Sequence, residues 1–401
     1  MSKFKTISDK INKAYTKALS IGINILYRKQ YDALLKKHSK DNAMTVDDTF
    51  KTKEQEWIKQ WSKLSKRPHV NSFRLFSKYI GPDINIVPED ISANIIQPIL
   101  SPIETRPFYQ DKNMFDILLG DDIMPKTILR CVDDCLLNAD YEPIPLGYST
   151  EEASVMSNGM LTRLLNGYKS IFIKPSVDSS SGHDVLGFRM DNDGVYHEIG
   201  GEKVFNIDFL NQYKNTHRDF IIQEGLTQHP YLMQFNPTSI NTIRIATYRS
   251  VKDNKVHIAS IMMRIGKNGS CVDNSHSGGV AIGVSMDGTL HKYAVDPDGN
   301  RYDSFNGVNF KDNAFRIPEF DKILEFAKEV GKKVHHHRLV AQDICLDSTG
   351  TPKLVEFNLR GFAVWVFQFT SGPALGEFAP EIIDYCAPRI SQINKVFVEA
   401  F

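Results

Sequence analysis

The 401-residue chain lacks the features that would place it across a membrane or in an oxidising compartment. No apolar run approaches the roughly 20 residues that cross a bilayer. The longest candidate, ALSIGINILY at 18–27, is too short and is followed by no small-residue cleavage site, so neither a span nor a signal peptide is expected. The five cysteines are an odd number without paired spacing. Cys131 and Cys135 lie one helical turn apart, yet no second Cys/His pair joins them. Buried free thiols in a reducing cytoplasm are expected, not a disulfide framework or a zinc site. No Gly-Lys-Ser/Thr opens a helix, which excludes a P-loop. Internal repeats, low-complexity tracts and nucleic-acid recognition motifs are also absent, and no nucleic-acid partner is expected.

Net charge is missing too: 48 Lys+Arg balance 48 Asp+Glu. The balance is uneven along the chain. Residues 1–80 hold 18 basic and 7 acidic residues, a surplus of 11 that the rest offsets. This basic arm is expected to be a solvated helical face, with an anionic membrane surface or a phosphorylated carrier as the alternative partner. Ile7, Ile11, Tyr15, Ala18 and Leu19 recur at helical spacing, as do Trp57, Trp61 and Leu64, so both stripes are expected to pack. Residues 81–110, rich in proline and β-branched residues, read as an extended connector or a small strand-containing subdomain. From Asp111 the pattern is mixed: DKNMFDILLG and SVMSNGMLTRLLNGY predict helices closed by glycine, and 126–137 carries no decisive pattern. KSIFIKP, DVLGFRM, HRDFIIQEGL, INTIRIATYRS and KVHIASIMMRIG predict strands, and FDKILEFAKEVGKK an amphipathic helix. An α+β layered fold follows, of two or three domains.

The most informative stretch is AQDICLD–STGTP–KLVEFN, which reads as a hairpin. A turn centred on Thr349-Gly350 sets Leu346 opposite Lys353, Cys345 opposite Leu354 and Asp343 opposite Glu356. Asn358 shares the Glu356 face, while Val355, Phe357 and Leu359 point away. Opposed carboxylates beside an amide oxygen suit a hard divalent cation such as Mg²⁺, which takes carboxylates together with substrate phosphates. Upstream, Lys174 ends the apolar run SIFIK and precedes the small-residue loop SVDSSSGHDV. A lysine beside backbone N–H groups of small residues is a phosphate-binding arrangement.

In this order DKNMF, SIFIKPSVDSSSGHDV, DFIIQEGL, NTIRIATY, MMRIG…DNSHSGG and DICLDSTGTPKLVEFN resemble the ATP-grasp superfamily over about 80–385. The likeness is greatest to the branch associated with sugar transfer and polysaccharide synthesis. It implies an α+β ATP-grasp fold, two subdomains clasping ATP, preceded by the basic helical region. The implied division is 1–80 basic helical region, 81–110 connector, 111–220 small subdomain and 221–401 large subdomain. Lys112 and Lys174 would bind phosphates, and Ser179, Ser180, Ser181 and Gly182 would form a flap over them. Gln223, Glu224, Gly225 and Leu226 would form the adenine-side hinge. Asp343, Glu356 and Asn358 would hold Mg²⁺, and Arg244 and Arg264 would steady the transferred phosphoryl group or a substrate carboxylate. Asn241 would position the same groups, and His276 in DNSHSGG would act as a base or bind the acceptor. His335-His336-His337 is expected to be structural, because consecutive side chains diverge. Phe362, Trp365 and Phe369 are expected in the core more than in an acceptor pocket.

The expected activity is a carboxylate–amine ligase using ATP and Mg²⁺ through an acyl phosphate, on a uronic or amino acid of a surface polysaccharide. A phosphotransferase, or a non-catalytic nucleotide-binding partner docked to a glycosyltransferase through residues 1–80, is the alternative. The expected location is the cytoplasm, at most peripheral to the membrane.

Overall fold

The computed structural model describes residues 2–39, 46–120, 122–145, 151–177, 184–270, 273, 278–359 and 361–396. Three helices open the chain: α1 (Ser2–Lys37), α2 (Asp48–Trp61) and α3 (Val70–Ile80). The Asp47 carboxylate accepts from Phe50 N–H at the start of α2, a capping contact of about 1 kcal/mol. Trp57 and Trp61 are fully buried, as their spacing predicts, and donate their indole N–H to the carbonyls of Ile86 and Ile84 at 2.7 and 3.0 Å. On α1 the expected stripe holds at Leu19, which packs on the core, and fails at Ile11, Tyr15 and Ala18; the Ile7 side chain lies outside the described residues. Ile11 and Tyr15 are 62% and 64% exposed, and the helix packs instead through Ile23, Tyr27 and Tyr31. The body lies under that other face only.

Residues 81–88 are turn and extended chain, as expected, but 89–110 are largely helical, contrary to the extended reading. Short helices at Glu89–Ile91, Gln97–Leu100 and Arg106–Gln110 flank a π-helical turn at Ser92–Ile96. Ile86, Ile91, Ile96 and Leu100 are at most 2% exposed in a core shared with α1–α3. Burial there outweighs the strand preference of β-branched residues.

The strands are β1 (Thr127–Val132), β2 (Cys135–Asn138), β3 (Ser170–Pro175), β4 (Leu186–Met190), β5 (Tyr196–Glu198), β6 (Val204–Phe205) and β7 (Phe220–Glu224). They form one antiparallel sheet in the order β2-β1-β7-β3-β4-β5-β6. The undecided segment 126–137 is the β1–β2 hairpin, so Cys131 and Cys135 lie on opposite strands. Its loop residues Asp133 and Asp134 have φ of 51° and 63°, which a two-residue turn needs to follow strand twist.

A second antiparallel sheet contains β8 (Ile243–Arg249), β9 (Val256–Ile265), β10 (Val280–Val284), β11 (Leu290–Val295) and β12 (Arg301–Tyr302). After a small ribbon of β13 (Ser304–Phe305) and β14 (Val308–Asn309) come β15 (Leu339–Leu346) and β16 (Pro352–Asn358). The order is β12-β11-β10-β9-β8-β15-β16. One face, with Ile243, Ile245, Val340, Ile344 and Leu354, joins a core with the amphipathic helix Phe320–Lys333. On the other face Ala246, Tyr248, Met262, Leu339 and Ala341 belong to the core of the N-terminal helices and the helix Val364–Thr370. Phe362 and Phe369 are buried there, and Phe369 meets the rings of Phe76 and Tyr79 at 5.0 and 4.6 Å. That half of the face is sealed by the N-terminal region. The remaining half carries charge.

Candidate active site

The hairpin β15–β16 sets Asp343 directly opposite Glu356, as the sequence pattern predicts. Nearer the turn the pairing differs: Ile344 faces Leu354, Cys345 faces Lys353 and Leu346 faces Pro352. The turn centres on Thr349, where the Asp347 carboxylate accepts from the N–H groups of Thr349 and Thr351 at 2.8 and 2.9 Å. A bulge at Val355 absorbs the extra residue. It puts Leu354 and Phe357, three residues apart, into the same core and leaves Val355 part-exposed. Val355 does not share the buried side with Phe357, which corrects the expectation. Glu356 and Asn358 still face together.

On the other side of β15, Asp343 is opposite Arg244 of β8. One row across three neighbouring strands therefore reads Arg244, Asp343, Glu356, all on the face that carries the charges. Arg244 grips both Asp343 oxygens, at 2.7 and 2.6 Å. Arg264 of β9 donates to Asp343 at 3.2 Å and pairs with Asp273 at 3.2 Å. Asp273 in turn accepts from the backbone N–H of Thr242 at 3.0 Å and from its hydroxyl. Burial alone would raise the Asp343 carboxyl; Arg244, with help from Arg264, turns the net shift downward. The same pair raises Arg244 in spite of burial. Asn358 donates its amide NH₂ towards Asp343 at 3.5 Å, which turns its carbonyl oxygen elsewhere.

Two lysines approach the row, one from a turn packed beside the first sheet and one from β3 of that sheet. Lys112, 6% exposed, begins the short 3₁₀ turn Lys112–Met114, capped by Asp111. Its backbone N–H donates to Ser176 just beyond β3, and its ammonium lies 3.9 Å from Glu356. Lys174 is on β3, and burial followed by the Lys112 charge lowers it to about 8, with Glu356 opposing. Cys345, two residues from Asp343, is pushed up to about 12 by burial. It is an inert thiol neighbouring this group.

Gln223, 1% exposed, donates to the Pro125 carbonyl at 3.0 Å, while its side-chain oxygen has no hydrogen-bond partner among the described residues. Glu224 accepts from Lys126 N–H at 2.9 Å. At Gly225 a Cβ would come within 2.1 Å of Ser170 Oγ, so the chain passes close to β3 before Leu226. Asn241 lies elsewhere than the sequence pattern predicts: it is fully buried and donates to Gln228 and to the carbonyl of Leu232, each at 2.9 Å, not to Arg244 or Asp343. Ser179, Ser180, Ser181, Gly182 and His276 lie outside the described residues. Asp273 was not anticipated as a site residue. Its only signal in the sequence is its place at the start of DNSHSGG.

Asp343, Glu356 and Asn358 bring hard oxygen donors of the kind Mg²⁺ takes together with phosphates onto adjacent strands. Both Asp343 oxygens are held by Arg244, however, and the Asn358 amide nitrogen faces Asp343, so Glu356 is the carboxylate that meets a cation without rearrangement. Around them four cations (Arg244, Arg264, Lys112, Lys174) outnumber three carboxylates (Asp343, Glu356, Asp273), which fits a polyanionic ligand.

A family model described as sugar-transfer associated ATP-grasp matches residues 100–382. The chain belongs to that family, and its fold is the ATP-grasp fold. It is similar to the D-alanine-D-alanine ligase from Coxiella burnetii at 12% identity and a TM-score of 0.39, covering 74% of this chain and 65% of that one. It is also similar to the L-amino acid ligase from Bacillus licheniformis at 12% identity and a TM-score of 0.36, covering 71% of this chain. A third similar structure is an ADP complex of N5-carboxyaminoimidazole ribonucleotide synthetase, at 12% identity and a TM-score of 0.34, covering 67% of this chain. The chain spans about half the length of the last two, 48% and 51%. No curated protein matches it.

Proposed function

We propose that this protein is an ATP- and Mg²⁺-dependent ligase that joins a carboxylate to an amine through an acyl phosphate. The observation that carries the reading is the row Arg244–Asp343–Glu356, faced by Lys112 and Lys174. Asp343, Glu356 and Asn358 would hold the metal, which when bound neutralises phosphate charge. Lys112 and Lys174 would hold the phosphate oxygens. The buried Gln223 oxygen would accept from the base, beside Glu224, Gly225 and Leu226. Ser179, Ser180, Ser181 and Gly182 would close over the phosphates, and His276 would meet the acceptor. Arg244 and Arg264, locked by buried carboxylates, would present fixed positive charge to the transferring group.

In the first step a substrate carboxylate oxygen bonds to the γ-phosphorus as the β–γ bridging P–O bond breaks, and ADP leaves. In the second, an amine attacks the carbonyl carbon. Phosphate departs with the C–O bonding pair, and the amine nitrogen loses a proton. A carboxylate acceptor suits this site better than a hydroxyl. A hydroxyl needs a base, and Asp343, with both oxygens held by Arg244 and its pKa depressed, is a poor one. A carboxylate needs only positioning and charge. The sugar-transfer description of the family favours a uronic or amino acid of a surface polysaccharide as substrate.

The test is ADP release with a panel of uronic and amino acids, with hydroxylamine present. An acyl hydroxamate supports the ligase. Phosphate retained on a hydroxyl acceptor supports a kinase instead, and nucleotide binding without turnover supports a scaffold.

A further inference from the structure

Helix α1 is apolar on two faces: Ile23, Tyr27 and Tyr31 are buried against the body, with polar contacts beside them, and a second apolar face meets solvent. Inward, Asn94 donates to Asn24 at 2.9 Å, Arg28 pairs with Asp90 at 2.9 Å, and Tyr31 donates to Glu89 at 3.0 Å. Thr16 donates to the Asn394 carbonyl at 2.6 Å. Outward, Ile11, Tyr15, Ile21, Ile25 and Leu26 are between 44% and 64% exposed. These are five of the twelve large apolar side chains exposed among the described residues, and all are on this helix. At 100° per residue they fall within an arc of about 140°. No charged side chain falls on that arc between Ile11 and Leu26, where Ala18 and Gly22 fill the gaps. One border of the arc carries Lys10, Lys13 and Lys17, all exposed. From residue 10 to 37 the helix has seven Lys/Arg against the single acid Asp32, which His69 and Asn71 already engage at 3.0 and 2.7 Å.

We propose that the outer face of α1 docks in the plane of an anionic lipid surface, with the apolar arc entering the headgroup boundary and the lysine border meeting acidic headgroups. The combination of an apolar stripe with basic flanks is what such a surface recognises. The apolar arc does not suit nucleic acid. A second copy of the chain would bring the lysine border of one helix against that of the other, where an anionic surface offers it opposite charge. No helix of the described residues is long and apolar enough to cross a membrane, so the helix lies on the surface.

The experiment is co-sedimentation of the full chain with phosphatidylcholine vesicles, with and without phosphatidylglycerol. Binding is expected only with the anionic lipid and is expected to weaken as salt rises. Each lysine removed (Lys13→Gln, Lys17→Gln) should weaken it roughly fivefold. Ile21→Ser with Ile25→Ser should abolish it, and because these side chains are exposed the variants keep the circular dichroism of the parent. A Tyr15→Trp variant should shift its emission to the blue on adding anionic vesicles. Absence of binding to anionic vesicles, or full binding by the double serine variant, overturns the proposal. So does a dimer in solution that Ile25→Ser splits, which would assign the face to a second copy.

Discussion

At the residue scale, the two carboxylates of the charged row sit in different surroundings. Asp343 is locked by Arg244 and Arg264 in a place 1% exposed, whereas the Glu356 side chain is 29% exposed and reaches towards Lys112. Lys174 gives this scale a pH signature. Its folded value of about 8 lies below that of a free lysine because burial and Lys112 disfavour the charge. In the proposed complex a bound polyphosphate raises it again, so binding is flat with pH below about 8 and weakens as pH rises through it, by up to about tenfold per pH unit. Lys174→Arg stays charged and should give a flat profile over the same range. Calorimetric titration of a magnesium nucleotide from neutral into alkaline pH checks this; identical profiles for parent and variant would remove Lys174 from the phosphates.

At the scale of elements, the hairpin shows how far a sequence reads. The Asp343–Glu356 pairing was legible from alternation and turn signals. The Val355 bulge was not, because a slip of one residue near a turn leaves the alternation nearly unchanged. The pairing survives only because the bulge offsets a turn centred on Thr349. Lys112 and Lys174 were legible as types at strand and helix ends, but their meeting at Glu356 depends on two sheets coming together. Residues 89–110 and the packing face of α1 depart from the expectation for a common reason: composition describes a local preference, while burial against the rest of the molecule decides. The β1–β2 hairpin offers a direct check. Asp134 has φ of 63°, which costs a residue bearing a Cβ. Relief of the left-handed backbone, about 1–2 kcal/mol, should exceed the roughly 0.4–1 kcal/mol that glycine adds to unfolded-state entropy, so Asp134→Gly should raise the urea midpoint with unchanged slope. A lower midpoint would show that the Asp134 side chain outweighs the backbone gain.

For the whole molecule, the N-terminal region is part of the body through the shared core that includes Trp57, Phe76, Tyr248, Phe367 and Phe369. Its basic charge was legible in the sequence, and its seal over half of the large sheet was not. Phe369→Ala removes a ring at the seam between Phe76 and Tyr79 and should cost about 3–5 kcal/mol. With Trp365 replaced by Phe, Trp57 and Trp61 report on the N-terminal helices by fluorescence, and circular dichroism reports on all elements. Both should lose stability together, and separate transitions would mean that the region is an independent arm. The row that this seal leaves open is the proposed reaction centre. Its most direct test is ATP turnover by Glu356→Ala, assayed as hydroxamate formation with the acceptor that works best for the parent. A loss of at least about a hundredfold is expected with the fold intact, as for groups that stabilise charge in the transition state. Turnover equal to that of the parent would contradict it.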